Sequence, residues 1–463
     1  MKALFTTCVV SWILTAASAS IAQTTEYELS VDQVRIDTGA FVKSGIGYNG
    51  ASPGPVLRFR EGEEAVIRVT NNLDDWTSVH WHGLILPFDQ DGVPGISFPG
   101  IAPGETFTYR FPIVQSGTYW YHSHTGLQEP EGAYGALVIE PAGAEPQEYD
   151  REYVVQFADK HPHSGERILR NLKRMPDYYN RKQQTVGDFF SDVSSDGLLA
   201  TLRDRWTWGG MRMMKADVED VQGFTGLING QGSEQNWTGL FEPGERVRLR
   251  LINSSAMTYF DVRIPGLRMT VVEADGNAVQ PVTVDELRIG VAETYDVIVE
   301  PDEERAYTLF AESMGRSGYA RGTLAPRRGM TAEVPALRPA PLLTMADMAG
   351  MPGMDHDGMN QGSMDHDAAE HGESGHDEMD HSDMDHGAMD HGSMDHEAMN
   401  HEAMDHTGMN HSSVDHGTGD NKEAFPFYAP GSGLTPEAAN GGRFLSYSDL
   451  RAAAPLYEHR ESQ

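Results

Sequence analysis

Apolar and polar residues alternate in short runs from Glu26 to about Gly143, and Gly and Pro interrupt the runs. The stretches PVLRFREGEEAVIRVTNN (55–72), GETFTYRFPI (104–113) and GTYWYHSH (117–124) carry the period of two most openly. Side chains of a strand alternate between two faces, so the pattern predicts strands with one buried face. Turn residues recurring every 8–12 positions or so predict an antiparallel sandwich. A stretch rich in Arg and Tyr, 163–215, breaks the alternation and predicts a helical insertion; the alternation then resumes to about residue 330. The expected fold class is all-β, with sandwich units at 26–143 and 148–330.

The two units read as copies of each other. LRFREGEEAVIRVTN (57–71) matches LFEPGERVRLRLIN (240–253), with Gly62-Glu63 falling on Gly244-Glu245. Further along, at an offset of 188, Glu105-Thr106-Phe107 falls on Glu293-Thr294-Tyr295 and Tyr119 on Tyr307. Self-similarity at this scale means a duplicated domain rather than a solenoid of short repeats.

Alternation ends before residue 345. Residues 345–420 consist largely of Met, Asp, His and Gly, with 14 Asp, 5 Glu and no Lys or Arg. Lacking aromatics, they cannot bury enough apolar surface to offset chain entropy, and disorder is expected when no metal is bound. Within them MDHGAMDHGSMDHEAMNHEAMDH (384–406) sets His at every fifth position and Met two residues before each. The auxiliary ligand set is His366, His381, His386, His391, His396, His401, His406 and His411 with Met379, Met384, Met389, Met394, Met399, Met404 and Met409. Thioethers suit Cu(I), imidazole accepts either copper oxidation state, and the carboxylates concentrate cations. The competing reading is a His/Met-rich spacer with incidental affinity. Residues 425–463 regain apolar character but are too short for a domain, and read as a linker towards one.

Charge and cysteine narrow the function classes. A formal net charge of −34 argues against nucleic acid and anionic membrane surfaces as partners. Residues 1–22 have one Lys, a short apolar run and a small-residue ending, the layout of a secretory signal cleaved after Ala22. No stretch is long and apolar enough to span a bilayer. Cys8, inside that signal, is the sole cysteine, so the exported chain is expected to hold no disulfide and no thiolate ligand.

The sharpest chemistry lies in His80-Trp81-His82-Gly83 and His122-Ser123-His124. At strand spacing, residues i and i+2 share a face, so each pair presents two imidazoles side by side. Two such pairs in one small β-domain predict a metal centre, with copper, zinc, iron and nickel all open. His161-Pro162-His163 has the same spacing, but its central proline argues for a surface loop. Met211, Met213 and Met214 beside Trp206 and Trp208 read as helix packing or a lid before they read as a Cu(I) patch.

HWHG and YWYHSH resemble the first two copper motifs of the multicopper oxidases, and the surrounding text resembles the copper-resistance protein A group in particular. The resemblance also covers 236–253, 259–276, 291–301, the Met/His segment and GLTPEAANGGRFLSYSDLR (433–451). It implies cupredoxin-like Greek-key sandwiches, export to the periplasm, and copper as cofactor. Carried across, His80 would ligate a type 2 copper, His82 and His122 one type 3 copper, and His124 the other. Asp91, in DQDGVPG, would stand beside the cluster as a proton donor; a turn-capping aspartate is the alternative. Under the 188 offset His122 falls on Phe310 and His124 on Glu312, so the second unit is expected to hold no copper.

The chain also departs from the pattern. HxxHxH and HCHxxxH, which the family carries in a third domain, do not occur, and a type 1 site has no cysteine to supply its thiolate. The first functional expectation is a periplasmic copper-resistance oxidase that detoxifies Cu(I) with O2 as acceptor, apparently lacking its type 1 domain. A second chain supplying that domain would be its partner. The alternative is a non-catalytic protein that sequesters copper, and the bland one a plain secreted sandwich.

Overall fold

The computed structural model describes residues 23–343 and 436–454. The signal segment and the auxiliary His and Met set lie outside these residues. The described chain is all-β with a few helices. The first sandwich has eight strands: β1 (Thr24–Asp37), β2 (Val42–Tyr48), β3 (Leu57–Arg60), β4 (Glu64–Asn71), β5 (His80–His82), β6 (Thr106–Pro112), β7 (Gly117–His122) and β8 (Tyr134–Glu140). They form two four-stranded sheets, ordered β2-β1-β4-β6 and β3-β8-β7-β5. The strand β1 runs parallel to β4, and β3 parallel to β8, while the other neighbours are antiparallel.

The second sandwich repeats that plan. Its larger sheet contains β9 (Arg151–Lys160), β10 (Thr225–Ile228), β11 (Gln231–Gly232), β13 (Val247–Asn253), β15 (Met269–Ala274), β16 (Asn277–Val284) and β18 (Thr294–Val299). The smaller holds β12 (Trp237–Leu240), β14 (Phe260–Arg263), β17 (Glu286–Ile289), β19 (Tyr307–Ser313) and β20 (Tyr319–Ala325). A buried asparagine marks the same corner in both copies. Asn71 Nδ2 donates to the carbonyls of Asp75 and Ile101 and its Oδ1 accepts from Leu73 N–H; Asn253 does the same with Thr258, Ile289 and Ser255. Ile101 and Ile289 stand at the offset of 188 read from the sequence.

Three helices separate β9 from β10: α1 (Gly165–Arg174), α2 (Val186–Asp196) and α3 (Leu198–Gly210). Ser164 caps α1, and Thr185 with Asp188 forms a capping box on α2. No helix among the described residues is long and apolar enough to cross a membrane.

Each sandwich encloses its own apolar core, one around Trp81, Tyr109 and Tyr121, the other around Phe157, Phe241 and Val262. A third cluster joins them, with Trp120, Tyr134 and Ala136 against Ala158, Leu227 and Ile252. Beside it the buried Arg250 reaches Thr118 Oγ1 at 2.8 Å across the junction, and Asp296 Oδ2 at 2.9 Å and Glu152 Oε2 at 2.8 Å.

Residues 436–454 pack onto the second sandwich. Leu445 enters its core, Leu445 N–H donates to Glu286 O, and Ala452 and Phe444 form bridges with Val279 and Glu286. The segment that the sequence reads as a linker thus has a built edge-strand contact along β16 and β17.

Candidate metal centre

The centre grows from one pairing, β5 against β7. His80 stands opposite His122, Trp81 opposite Tyr121, and His82 opposite Trp120. Alternation sends Trp81, Tyr119 and Tyr121 into the core and turns His80, His82, Trp120 and His122 to the other face. The spacing seen in the sequence therefore has a physical cause: the core needs the aromatics between the histidines. His124 lies just past the end of β7, where its N–H donates to Ser78 Oγ.

Four rings converge. His80 and His124 have centroids 4.6 Å apart, His122 and His124 4.9 Å, and His82 and His122 5.5 Å. His80, His82 and His122 each offer a nitrogen within 4.8 Å of the others'. His124 stands at the rim of that set rather than within it. Trp120 stacks on His122 at 4.0 Å with 9° between the planes, fixing the ring's tilt.

The environment favours the neutral form of three of the rings. Burial is the first cause lowering the pKa of His80, His82 and His124; neighbouring imidazoles add to it, and His82 falls to about 4. Neutral imidazoles need lose no proton charge to take a metal. His80 Nδ1 lies 2.8 Å from the backbone oxygen of Asp91, which leaves Nε2 for a metal. The Asp91 carboxylate is 3.3 Å from the same nitrogen. Gly92 makes this approach feasible: its φ is +76°, and a Cβ there would lie 1.8 Å from Val79 O.

The donor set fits copper. It is all imidazole, it is partly buried, and one ring nitrogen of His80 is already engaged by an acceptor. Zinc would also accept such a set, so donor chemistry alone does not single out copper.

The other sequence candidates part company with the cluster. His161 Nδ1 accepts the backbone N–H of His163 at 2.9 Å, so its proton sits on Nε2 and no lone pair is free for metal. His163 Nδ1 pairs with Tyr179 Oη at 3.0 Å. Trp208 is buried, whereas Trp206 is 85% exposed at the surface of α3. Met211, Met213 and Met214 follow α3, half-buried.

In the second sandwich, β14 and β19 repeat the β5–β7 pairing, and Arg263 stands opposite Phe310 where the offset of 188 puts Phe310 on His122. The Arg263 guanidinium lies 4.7 Å over the Phe310 ring and pairs with Glu286 and Glu312. Asp261, Glu286 and Glu312 are fully buried there and share Arg263, Arg288, Arg316 and Arg338. An ion-pair cluster thus fills the place that imidazoles fill in the first sandwich.

Sequence reasoning missed Glu129, whose Oε2 is 2.7 Å from His122 Nδ1. It lies seven residues past His122 in GLQEPEGAYG, a loop with no period to announce it.

The description "Multicopper oxidase" belongs to the two family models the chain matches, over residues 29–144 and 185–331. Copper resistance protein A of Escherichia coli is 56% identical over 344 residues, which are 73% of this chain and 56% of that protein. A copper resistance protein A homolog of Pseudomonas syringae pv. tomato is 55% identical, over 73% of this chain and 57% of its own length. The chain therefore spans little more than half the length of the curated relatives it matches. Among solved structures, a laccase from Botrytis aclada superposes with a TM-score of 0.52 at 27% identity, covering 69% of this chain and 56% of that one.

Proposed function

This chain belongs to the multicopper oxidase family, and from that premise we propose that it serves periplasmic copper resistance, with His80, His82, His122 and His124 holding copper. The observation that carries the reading is the convergence of two HxH pairs, with His80, His82 and His122 on one sheet face, His124 beside them, and the His80 ring set by the Asp91 carbonyl. Bound copper would supply one-electron chemistry; the residues supply neutral nitrogen donors and a partly buried floor. His80 is assigned to a type 2 copper, His82 and His122 to one type 3 copper and His124 to the other. Asp91, beside His80, is the proposed proton donor.

Reduction of O2 to water needs four electrons and further ligands. Neither a cysteine beyond Cys8 nor an HCHxxxH run occurs in the sequence. Cu(I) oxidation with O2 is thus the proposed role of a complete centre, with the third cupredoxin domain from another chain or a longer product. By itself this chain is proposed to bind copper without turnover, with the Met/His segment adding capacity. That makes sequestration the second reading, favoured by the thirteen Met and twelve His in 345–420.

Copper titration with oxygen uptake separates the two. The expected result is copper retention that falls in His80→Ala/His122→Ala, and no steady O2 consumption with Cu(I). Sustained O2 uptake by the purified chain would overturn the non-catalytic assignment. Copper retention unchanged in the double variant would overturn the site.

A further inference from the structure

Apart from Asp91, one carboxylate among the described residues pairs with a ring of the imidazole cluster, and the proposed function gives it no task. Glu129 Oε2 is 2.7 Å from Nδ1 of His122. That nitrogen is buried, and among the described residues it has no hydrogen-bond partner that is already aligned. The ring's other degrees of freedom are already set. Trp120 stacks on its face, and Nε2 points to His82 Nδ1 at 3.4 Å.

The loop carrying Glu129 is pinned on both sides. Gln128 accepts from Thr77 Oγ1 at 2.7 Å and from Ser123 Oγ at 2.8 Å, and donates to Trp76 O at 2.7 Å. Glu129 O accepts from Gly132 N–H, and the next carbonyl, Pro130 O, takes the buried Lys160 ammonium at 3.0 Å. A flexible surface glutamate would not be held this way. The two central imidazoles also differ in their nearest partner: His80 Nδ1 meets the Asp91 carbonyl at 2.8 Å with that residue's carboxylate at 3.3 Å, whereas His122 Nδ1 meets the Glu129 carboxylate at 2.7 Å.

We propose that Glu129 is a positioning residue of the metal centre. Its carboxylate takes the Nδ1–H of His122, so the Nε2 lone pair faces the metal, and its charge favours the more highly charged metal ion. A carboxylate behind a ligating histidine raises the basicity of that ligand and orients its ring. Through the same charge, Cu(II) gains more than Cu(I) at this centre. The proposal rests on the copper-centre reading above.

The test uses the full-length chain with the His and Met of 345–420 replaced, so that only the sandwich site reports. Cu(II) and Cu(I) affinities are measured by chelator competition for the parent, Glu129→Gln, Glu129→Ala and His80→Ala/His122→Ala, with thermal unfolding as a check on folding. The isosteric Gln variant guards against a folding defect in the Ala variant. Expected is a loss of about 10- to 100-fold in Cu(II) affinity for Glu129→Gln, with a clearly smaller loss for Cu(I). Altered nitrogen hyperfine structure in the Cu(II) EPR spectrum should accompany it. Cu(II) affinity within twofold of the parent overturns the proposal, as does an equal loss for both oxidation states. If His80→Ala/His122→Ala also leaves Cu(II) affinity intact, the copper-centre reading falls with it. If that double variant loses binding while the Glu129 variants do not, only the role of Glu129 falls.

Discussion

At the residue scale, the proposed centre calls on groups that hold the histidines as much as on the histidines themselves. Gly92 is the tightest: a methyl group at its Cβ position would meet Val79 O at 1.8 Å. Gly92→Ala should displace the Asp91 carbonyl from His80, weakening Cu(II) binding at the sandwich site and lowering the unfolding temperature; both are read by titration and calorimetry. Glu273, at the junction of the sandwiches, supplies a pH test. Burial first, then the charge of Asp296, pushes its pKa up to about 7, while Arg248 opposes. The folded chain therefore holds this proton where the unfolded one has released it. The resulting stability is full below about pH 4.5 and is lost as pH rises through 7. Glu273→Gln stays neutral, so its unfolding temperature relative to the parent should rise between about pH 5 and pH 8. That His80, His82 and His122 share a face was legible because i and i+2 spacing is a strand property; His124 lies past the end of β7. Glu129 was not legible, because a loop residue's place beside a ring follows from how the loop folds.

At the element scale, the charged residues of the second sandwich carry the lesson. In YFDVRIPG, Asp261 and Arg263 alternate with apolar neighbours. The structure buries both and closes the cluster with Arg338, which comes from the segment after β20. Arg338 also donates to Glu437 O, and Ala439 N–H donates to Glu286 Oε2, so one arginine anchors two distant stretches of chain. Removing one partner from a buried ion-pair network is strongly destabilising, about 3 kcal/mol. Arg338→Met should show a loss of that order in urea unfolding and faster proteolysis within 436–454. The two HxH pairs and the duplicated sandwich could be read in the sequence from period and repeat. The docking of 436–454 could not, since its short apolar stretches carry no sign of which edge they meet.

At the scale of the whole molecule, each sandwich has its own apolar core and a buried junction joins them. Chelator treatment should therefore leave a cooperative unfolding transition, unlike a small domain whose folding is metal-driven. Replacing the His and Met of 345–420 should lower the number of coppers bound while circular dichroism stays unchanged. The central claim is that His80, His82, His122 and His124 form a copper centre on the first sandwich. EPR of the chain with 345–420 stripped of His and Met, loaded with one equivalent of Cu(II), tests it most directly. The account predicts hyperfine splitting from several imidazole nitrogens, no intense blue thiolate band, and loss of the signal when the four histidines become alanine. A blue thiolate band, or an unchanged spectrum in the four-alanine variant, would contradict it.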